Sequence, residues 1–186
     1  MGYQSLNTLQ SKHFLKIFLL MLAVFPAPET TNALSEGDKI PSFTVYAGKD
    51  KRLHSSALAG RVIILTYESK DRVSVNNHFK KQVLKAFPDH ATDNSPVTVL
   101  AVISCFEFLW PFDRYCIAEV QKNAKKLGLP LYDDRTGKMF RDLDLKKDAS
   151  NILVIDCRGI VQYRRVGKLS PQETETAIKC IKALCR

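Results

Sequence analysis

The chain contains no C-x-x-C: its five cysteines, Cys105, Cys116, Cys157, Cys180 and Cys185, stand too far apart for that motif. This excludes the common zinc and dithiol spacings. Histidine is scarce too. His78, at a polar helix position beside Asn77, has no second histidine at ligand spacing and reads as a solvated side chain, so no metal is expected, and no motif implies a cofactor. No internal repeat, low-complexity tract or long linker is present. The net charge of +9 could mark a nucleic-acid partner. However, the cations come as scattered pairs, Lys80/Lys81, Lys125/Lys126, Lys146/Lys147 and Arg164/Arg165, with no aromatic interleaving. Solvated helix faces are expected instead, and no nucleic acid.

With 186 residues, 45% of them hydrophobic, the chain is long enough for one ordinary domain and short for two. At the N-terminus, Lys12, His13 and Lys16 lie ahead of or within an apolar run from Phe14 to Phe25, followed by proline and small residues. That is the outline of a secretory signal, with Thr31-Asn32-Ala33 as the cleavage site. The run falls short of the ~20 residues a spanning helix needs, so no stable membrane span is expected after cleavage. Residues 1–33 are thus expected to be a signal peptide and residues 34–186 the folded domain, exported to the periplasm or secreted. No cysteine follows the apolar run to carry a lipid. Removing Lys12, Lys16 and Glu29 leaves a net charge of +8.

After Gly37, short extended pieces flank a turn at Gly48-Lys49-Asp50, as in a hairpin. Val62 to Tyr67 and Val97 to Ser104 are continuous apolar runs too short for helices, hence buried strands. Between them Val75, Phe79, Val83 and Phe87 recur four apart, predicting a helix that starts near Asp71 and is closed by Pro88. A second helix is predicted with Asp113 as cap, Ile117, Val120, Ala124 and Leu127 inward, and Gly128 as its stop. A short extended piece at Leu131–Asp133 and a short helix over Thr136–Leu145 follow. Ile152–Asp156 and Ile160–Val166 then form a hairpin. Ser170-Pro171-Gln172-Glu173 has capping-box spacing with proline at the first helical position, so it opens a last helix, with Ala177, Ile178, Ile181 and Leu184 buried.

Strand, helix, strand, helix implies a parallel pair with a crossover. Followed by a short helix, an antiparallel hairpin and a closing helix, this order resembles the thioredoxin fold over roughly residues 36–186. The expected class is therefore α/β: a thioredoxin-like fold, with a central mixed sheet, a parallel βαβ unit and a C-terminal antiparallel hairpin plus closing helix. EGDKIPSFTVYAGKDKRLHSSALAGRVIILTY resembles the opening of TlpA/ResA-type exported redoxins, and ILVIDCRGIVQYRRVGKLSPQE resembles their closing hairpin. Where those enzymes carry C-x-x-C, this chain has Arg72-Val73-Ser74-Val75. Where they carry a cis-proline before the hairpin, it has Ser150. Dithiol exchange needs a thiolate and a resolving thiol, which Arg72 and Val75 do not supply. AGRVIILTYESKDRVSVNNHFKK and ASNILVIDCRGIVQYRRVGKLSPQE are most similar to the exported YtfJ family, which lacks the dithiol motif; SCFEFLWPFDRYC has no obvious match there.

If that fold holds, the second strand delivers Cys105 to the edge where thioredoxins do their chemistry, with Cys116 in the next helix. The expected pairs are Cys105–Cys116 and Cys157–Cys185, with Cys180 buried and free. Cys180 and Cys185 fall about 7.5 Å apart along one helix axis, beyond the ~7 Å Cα limit for a disulfide. Both pairs read as structural staples, with Cys105 and Cys116 as redox candidates in the alternative. Glu68, Lys70, Asp71 and Arg72 form a charged turn in place of the dithiol motif and a possible binding edge. Phe106, Phe108, Leu109, Trp110, Pro111 and Phe112 either cover the core, the reading adopted here, or expose an apolar patch. Two functions follow. One is a non-catalytic binding or envelope-maintenance protein acting on a protein partner in the cell envelope. The other is a thiol-disulfide oxidoreductase using Cys105 and Cys116; a peroxidase-like site is discounted because Arg72 stands where its cysteine would be.

Overall fold

The two apolar runs become the middle of a seven-stranded mixed sheet: β3, Val62–Ser69, lies parallel to β4, Val97–Ser104. The computed structural model describes residues 34–92 and 94–185; the expected signal peptide and its cleavage site lie outside the described residues. The other strands are β1 (Thr44–Ala47), β2 (Lys51–His54), β5 (Leu131–Asp134), β6 (Ser150–Ile155) and β7 (Val161–Val166). Their order is β2-β1-β5-β4-β3-β6-β7. Strands β3, β4 and β5 are parallel, while β1 and β2 on one side and β6 and β7 on the other pair antiparallel. The expected fold class is the one observed.

Side-chain alternation along β3 serves two cores. Val62 and Ile64 pack with Phe79 and Val83 of helix α1, Asn77–Ala86, and with Ala177 and Ile181 of helix α4, Pro171–Leu184. Ile63, Leu65 and Tyr67 pack on the opposite face with Val45, Leu100 and Met139, the last from helix α3, Lys138–Asp142. A third cluster joins Ile103 and Cys105 to Cys116 and Val120 of helix α2, Phe112–Leu127.

The capping box at α4 forms: the Ser170 hydroxyl accepts from the Glu173 N–H at 3.2 Å, and the Glu173 carboxylate accepts from the Ser170 N–H at 2.8 Å. Gly128 closes α2 in the left-handed conformation, as its position suggests. Helix α1, in contrast, begins later than its periodicity predicts. Lys70–Arg72 is a separate 3-10 turn, so Asp71 caps nothing and Val75 lies outside the helix. Asn76 explains the delay. Its amide donates to Ser150 Oγ and the Gly167 carbonyl and accepts from the Leu169 N–H, pinning this residue to β6 and to the approach of α4. In α2, Asp113 sits in the first turn and Pro111 takes the cap position; Cys116 and Val120 form the buried stripe, and Leu127 is exposed.

Candidate functional site

Cys105 directly follows β4, and Cys116 is the fifth residue of α2. The two form a disulfide with a Cα–Cα distance of 5.7 Å. It lies at the carboxyl ends of the parallel strands, where open α/β sheets place their sites. The pair is shielded: Cys105 is 0% and Cys116 4% exposed, packed with Ile103 and Val120 and flanked by Ile117 and Leu131.

The loop closed by this disulfide splits its apolar residues. Phe106 turns inward, its ring 5.0 Å from that of Phe140, which in turn lies 6.2 Å from that of Tyr67. Room for Phe106 comes from Gly137, at φ +66°, where an added Cβ would stand 2.6 Å from the Phe106 ring. Phe108, Leu109, Trp110 and Phe112 turn outward with Tyr115; Leu109 is 82% and Trp110 73% exposed. The expected cover over the core is therefore an exposed apolar patch, because the slot beneath is already filled by Phe106. The Trp110–Pro111 peptide is cis.

Three polar links tie the surrounding loops. Lys70 pairs with Glu119 of α2 at 2.6 Å, Arg72 Nε donates to the Asp148 carbonyl at 3.1 Å, and Lys147 lies 3.8 Å from Glu107 within the disulfide loop. Such exposed pairs add little stability, but they hold the Lys70–Arg72 turn, the disulfide loop and the approach to β6 side by side. Lys70, Arg72, Phe108 and Trp110 thus belong to one edge, and Asp71 is an exposed member of the same turn.

Glu68 is not part of that surface. It is 2% exposed at the end of β3, accepting from Lys80 Nζ at 2.7 Å and from the Ser150 hydroxyl at 2.8 Å. The expectation of a surface carboxylate is corrected by strand alternation: Val62, Ile64, Thr66 and Glu68 share the face covered by α1. Ser150 and Asn76 complete this buried network, and neither was singled out together with Glu68 from sequence. The signal was there in part, since a carboxylate in phase with three buried strand residues needs a buried cation. His78 is half-buried, its Nε2 standing 3.0 Å from Thr174 Oγ1 of α4, so it is only partly solvated.

On the other face of the sheet the Tyr67 hydroxyl donates to Asp134 at 3.2 Å, and Asp134 also accepts from the Phe140 N–H at 3.0 Å. Burial, then the Asp134 charge, pushes the Tyr67 phenol far above its ordinary range, so it stays a protonated donor.

The second expected disulfide does not form: Cys157, Cys180 and Cys185 are free thiols. Cys157 is exposed on the turn after β6, whereas Cys185 is half-buried against the core under α4, so the two side chains serve different surroundings. Cys180 is free as expected, though half-buried; burial pushes both the Cys180 and Cys185 thiols up. Among the described residues no group of three or more His, Cys, Asp or Glu side chains could hold a metal ion. No helix among them is long and apolar enough to cross a membrane.

No family model and no curated protein matches the sequence. Solved structures do. A secreted thiol-disulfide isomerase from Corynebacterium glutamicum superposes with a TM-score of 0.60 at 12% identity, covering 87% of this chain and 96% of that one. A thioredoxin-family thiol:disulfide interchange protein from Chlorobium tepidum gives 0.57 at 17% identity, over 82% and 99%. The thioredoxin domain of a thiol-disulfide oxidoreductase from Bacteroides vulgatus gives 0.57 at 12%, over 81% and 99%. Likeness at these identities speaks for architecture, and with the strand order above it identifies the fold as thioredoxin-like.

Proposed function

We propose that this is an exported thioredoxin-fold protein of the thiol-disulfide exchange class, in which Cys105 and Cys116 stand in for the dithiol missing at the head of α1. The observation that carries the reading is the place of their disulfide, at the carboxyl edge of the parallel strands and beneath an exposed aromatic loop. The names of the structural neighbours point to the same chemistry. In the exchange, a thiolate of a partner dithiol attacks one sulfur of the pair, forming a mixed disulfide and releasing the other as a thiolate. The partner's second thiolate then displaces the bound sulfur. The partner ends as a disulfide and Cys105 and Cys116 as thiols, two electrons and two protons having passed. Since both sulfurs are shielded, the loop from Phe106 to Pro111 has to move before attack, so small thiols react slowly.

In the same reading, the protein is related to the exported YtfJ-type proteins, and the setting is the periplasm or the secreted space. Arg72–Val75 in place of the motif and Ser150 in place of the proline support this kinship. The test is thiol trapping and peptide mapping across graded redox buffers. Opening of Cys105–Cys116 between roughly −120 and −270 mV supports exchange, whereas a pair that stays closed below about −300 mV refutes it. The shielded sulfurs favour a second reading, in which the disulfide is only a staple and Phe108, Trp110 and the Lys70–Arg72 turn bind a protein of the cell envelope. Unchanged associations after Trp110→Ala would count against that one.

A further inference from the structure

At the opposite end of β4 the sheet is incomplete. Strand β5 pairs with β4 only from Leu131, opposite Ala101, to Asp134, opposite Ser104. Pro130 immediately precedes it and has no N–H to give, so the ladder stops there. Residues Val97 to Leu100 consequently have β3 on one side and, among the described residues, no strand on the other. The main-chain groups facing that gap can be identified. The Pro96 carbonyl accepts from the Val62 N–H of β3, while the Cys105 N–H donates toward β5, to the Asp134 carbonyl. Along a strand these directions alternate, so the odd-numbered residues of β4 face the β5 side. Ser95 Oγ takes the Val97 N–H. The Val99 N–H and C=O are left directed into the gap.

The gap is a cavity of about 320 Å³. Leu53 and Leu58 wall it on the β2 side, Leu84 on the α1 side and Leu129 on the side leading to β5. Two of its polar side chains bond within the chain: Arg61 reaches Thr98 Oγ1 at 3.5 Å, and the His90 ring bonds the Phe87 carbonyl at 2.9 Å. Most of the lining is apolar, which suits an uncharged segment. A donor and an acceptor on one strand edge, within apolar walls, match another extended backbone with an apolar side chain. At ~3.3 Å per residue, four edge residues span about 13 Å, room for three or four residues of a partner strand.

We infer that this notch binds a short, extended, uncharged peptide segment, which pairs with Val99 and completes the sheet where β5 stops. The site is independent of the cysteine pair, being at the other end of β4. Its test uses N-acetyl-Val-Leu-Val-amide and the same peptide N-methylated at its central residue, titrated into the full protein at up to millimolar concentration. Amide exchange and amide NMR shifts are followed. The Val99 amide should exchange openly in the free protein and become protected by the first peptide, and the N-methylated one should bind about tenfold more weakly for the lost hydrogen bond. Ala57→Trp fills the mouth from an exposed position and should abolish binding with the remaining spectrum intact; Ala91→Trp serves if Ala57→Trp does not fold. A Val99 amide already protected without peptide, equal binding of the two peptides, shifts confined to Leu109–Tyr115, or no binding at all would each overturn the inference.

Discussion

Replacing Lys80 by Met should cost this protein far more than the loss of an ordinary helix lysine. The Lys80 ammonium is the only cation on Glu68 among the described contacts, at 2.7 Å, and the Glu68 side chain keeps 3% of its surface in water. In Lys80→Met the carboxylate keeps one neutral donor, the Ser150 hydroxyl at 2.8 Å. Breaking a buried pair from one side typically costs 3–5 kcal/mol. Because Lys80 itself is 24% exposed, water softens the loss and the lower end, about 3 kcal/mol, is expected. Urea denaturation followed by circular dichroism would read this as a lower midpoint at unchanged slope. The double variant Glu68→Gln/Lys80→Met removes the stranded charge and should recover most of the stability, leaving about 1 kcal/mol for the lost bond from Lys80 to the Val73 carbonyl. If Lys80→Met costs under ~0.5 kcal/mol, or the double variant is no more stable than the single one, the charge at Glu68 is not what the pair compensates.

Cys105→Ser/Cys116→Ser opens a loop of sequence separation 11, and chain entropy puts the loss at about 3 kcal/mol by denaturant titration. A loss below ~1 kcal/mol would mean that the loop is held by its other contacts. Gly137→Ala forces a left-handed alanine and drives its Cβ into Phe106; the thermal midpoint should fall by the equivalent of at least ~1–2 kcal/mol and the near-ultraviolet aromatic signal should change. An unchanged midpoint would contradict the packing described for Phe106. At Asp156 burial alone would raise the carboxyl, but the N–H groups of Ile160 and Arg158, with the Arg158 guanidinium and Gln162, hold it below its ordinary 3.8. A lowered folded pKa gives stability that is present above the ordinary value and lost as pH falls through the folded one. Asp156→Asn should therefore be less stable near neutrality and show a shallower acid loss of its thermal midpoint; an unchanged acid profile would refute the assignment.

The elements legible in the sequence were those set by near neighbours. Val62 to Tyr67 and Val97 to Ser104 are mostly apolar because both faces are largely covered, and Ser170 to Glu173 carries its own cap. What escaped depends on distant residues. Helix α1 starts after Asn76 because that side chain bonds Ser150, Gly167 and Leu169, which no window around position 76 contains. Glu68 looked like part of a surface turn because one of its partners, Ser150, is 82 residues away. The outward turn of Leu109 and Trp110 depended on Phe106 already filling the slot beside Gly137, a question of volume rather than pattern. The Cys105–Cys116 bond was foreseeable only through the fold, and the same reasoning misplaced Cys157 and Cys185, whose side chains face different environments.

The outermost strands of the sheet have a bearing on how the protein behaves when crowded. Strand β2 carries the exposed Lys51 and Arg52, and the edge of β7 is occupied by Glu36, which accepts from the Arg164 N–H at 2.9 Å and pairs with Arg165 at 3.0 Å. Two copies meeting along β2 bring like charges together, and Glu36 covers part of β7, so both edges discourage the open-ended strand pairing that leads to fibrils. The first half of β4 has no such guard, and the walls around it are mostly apolar. Aggregation of a destabilised variant should therefore begin there, and a lysine at Ala57 or Ala91 would extend the same protection to the interior of the sheet.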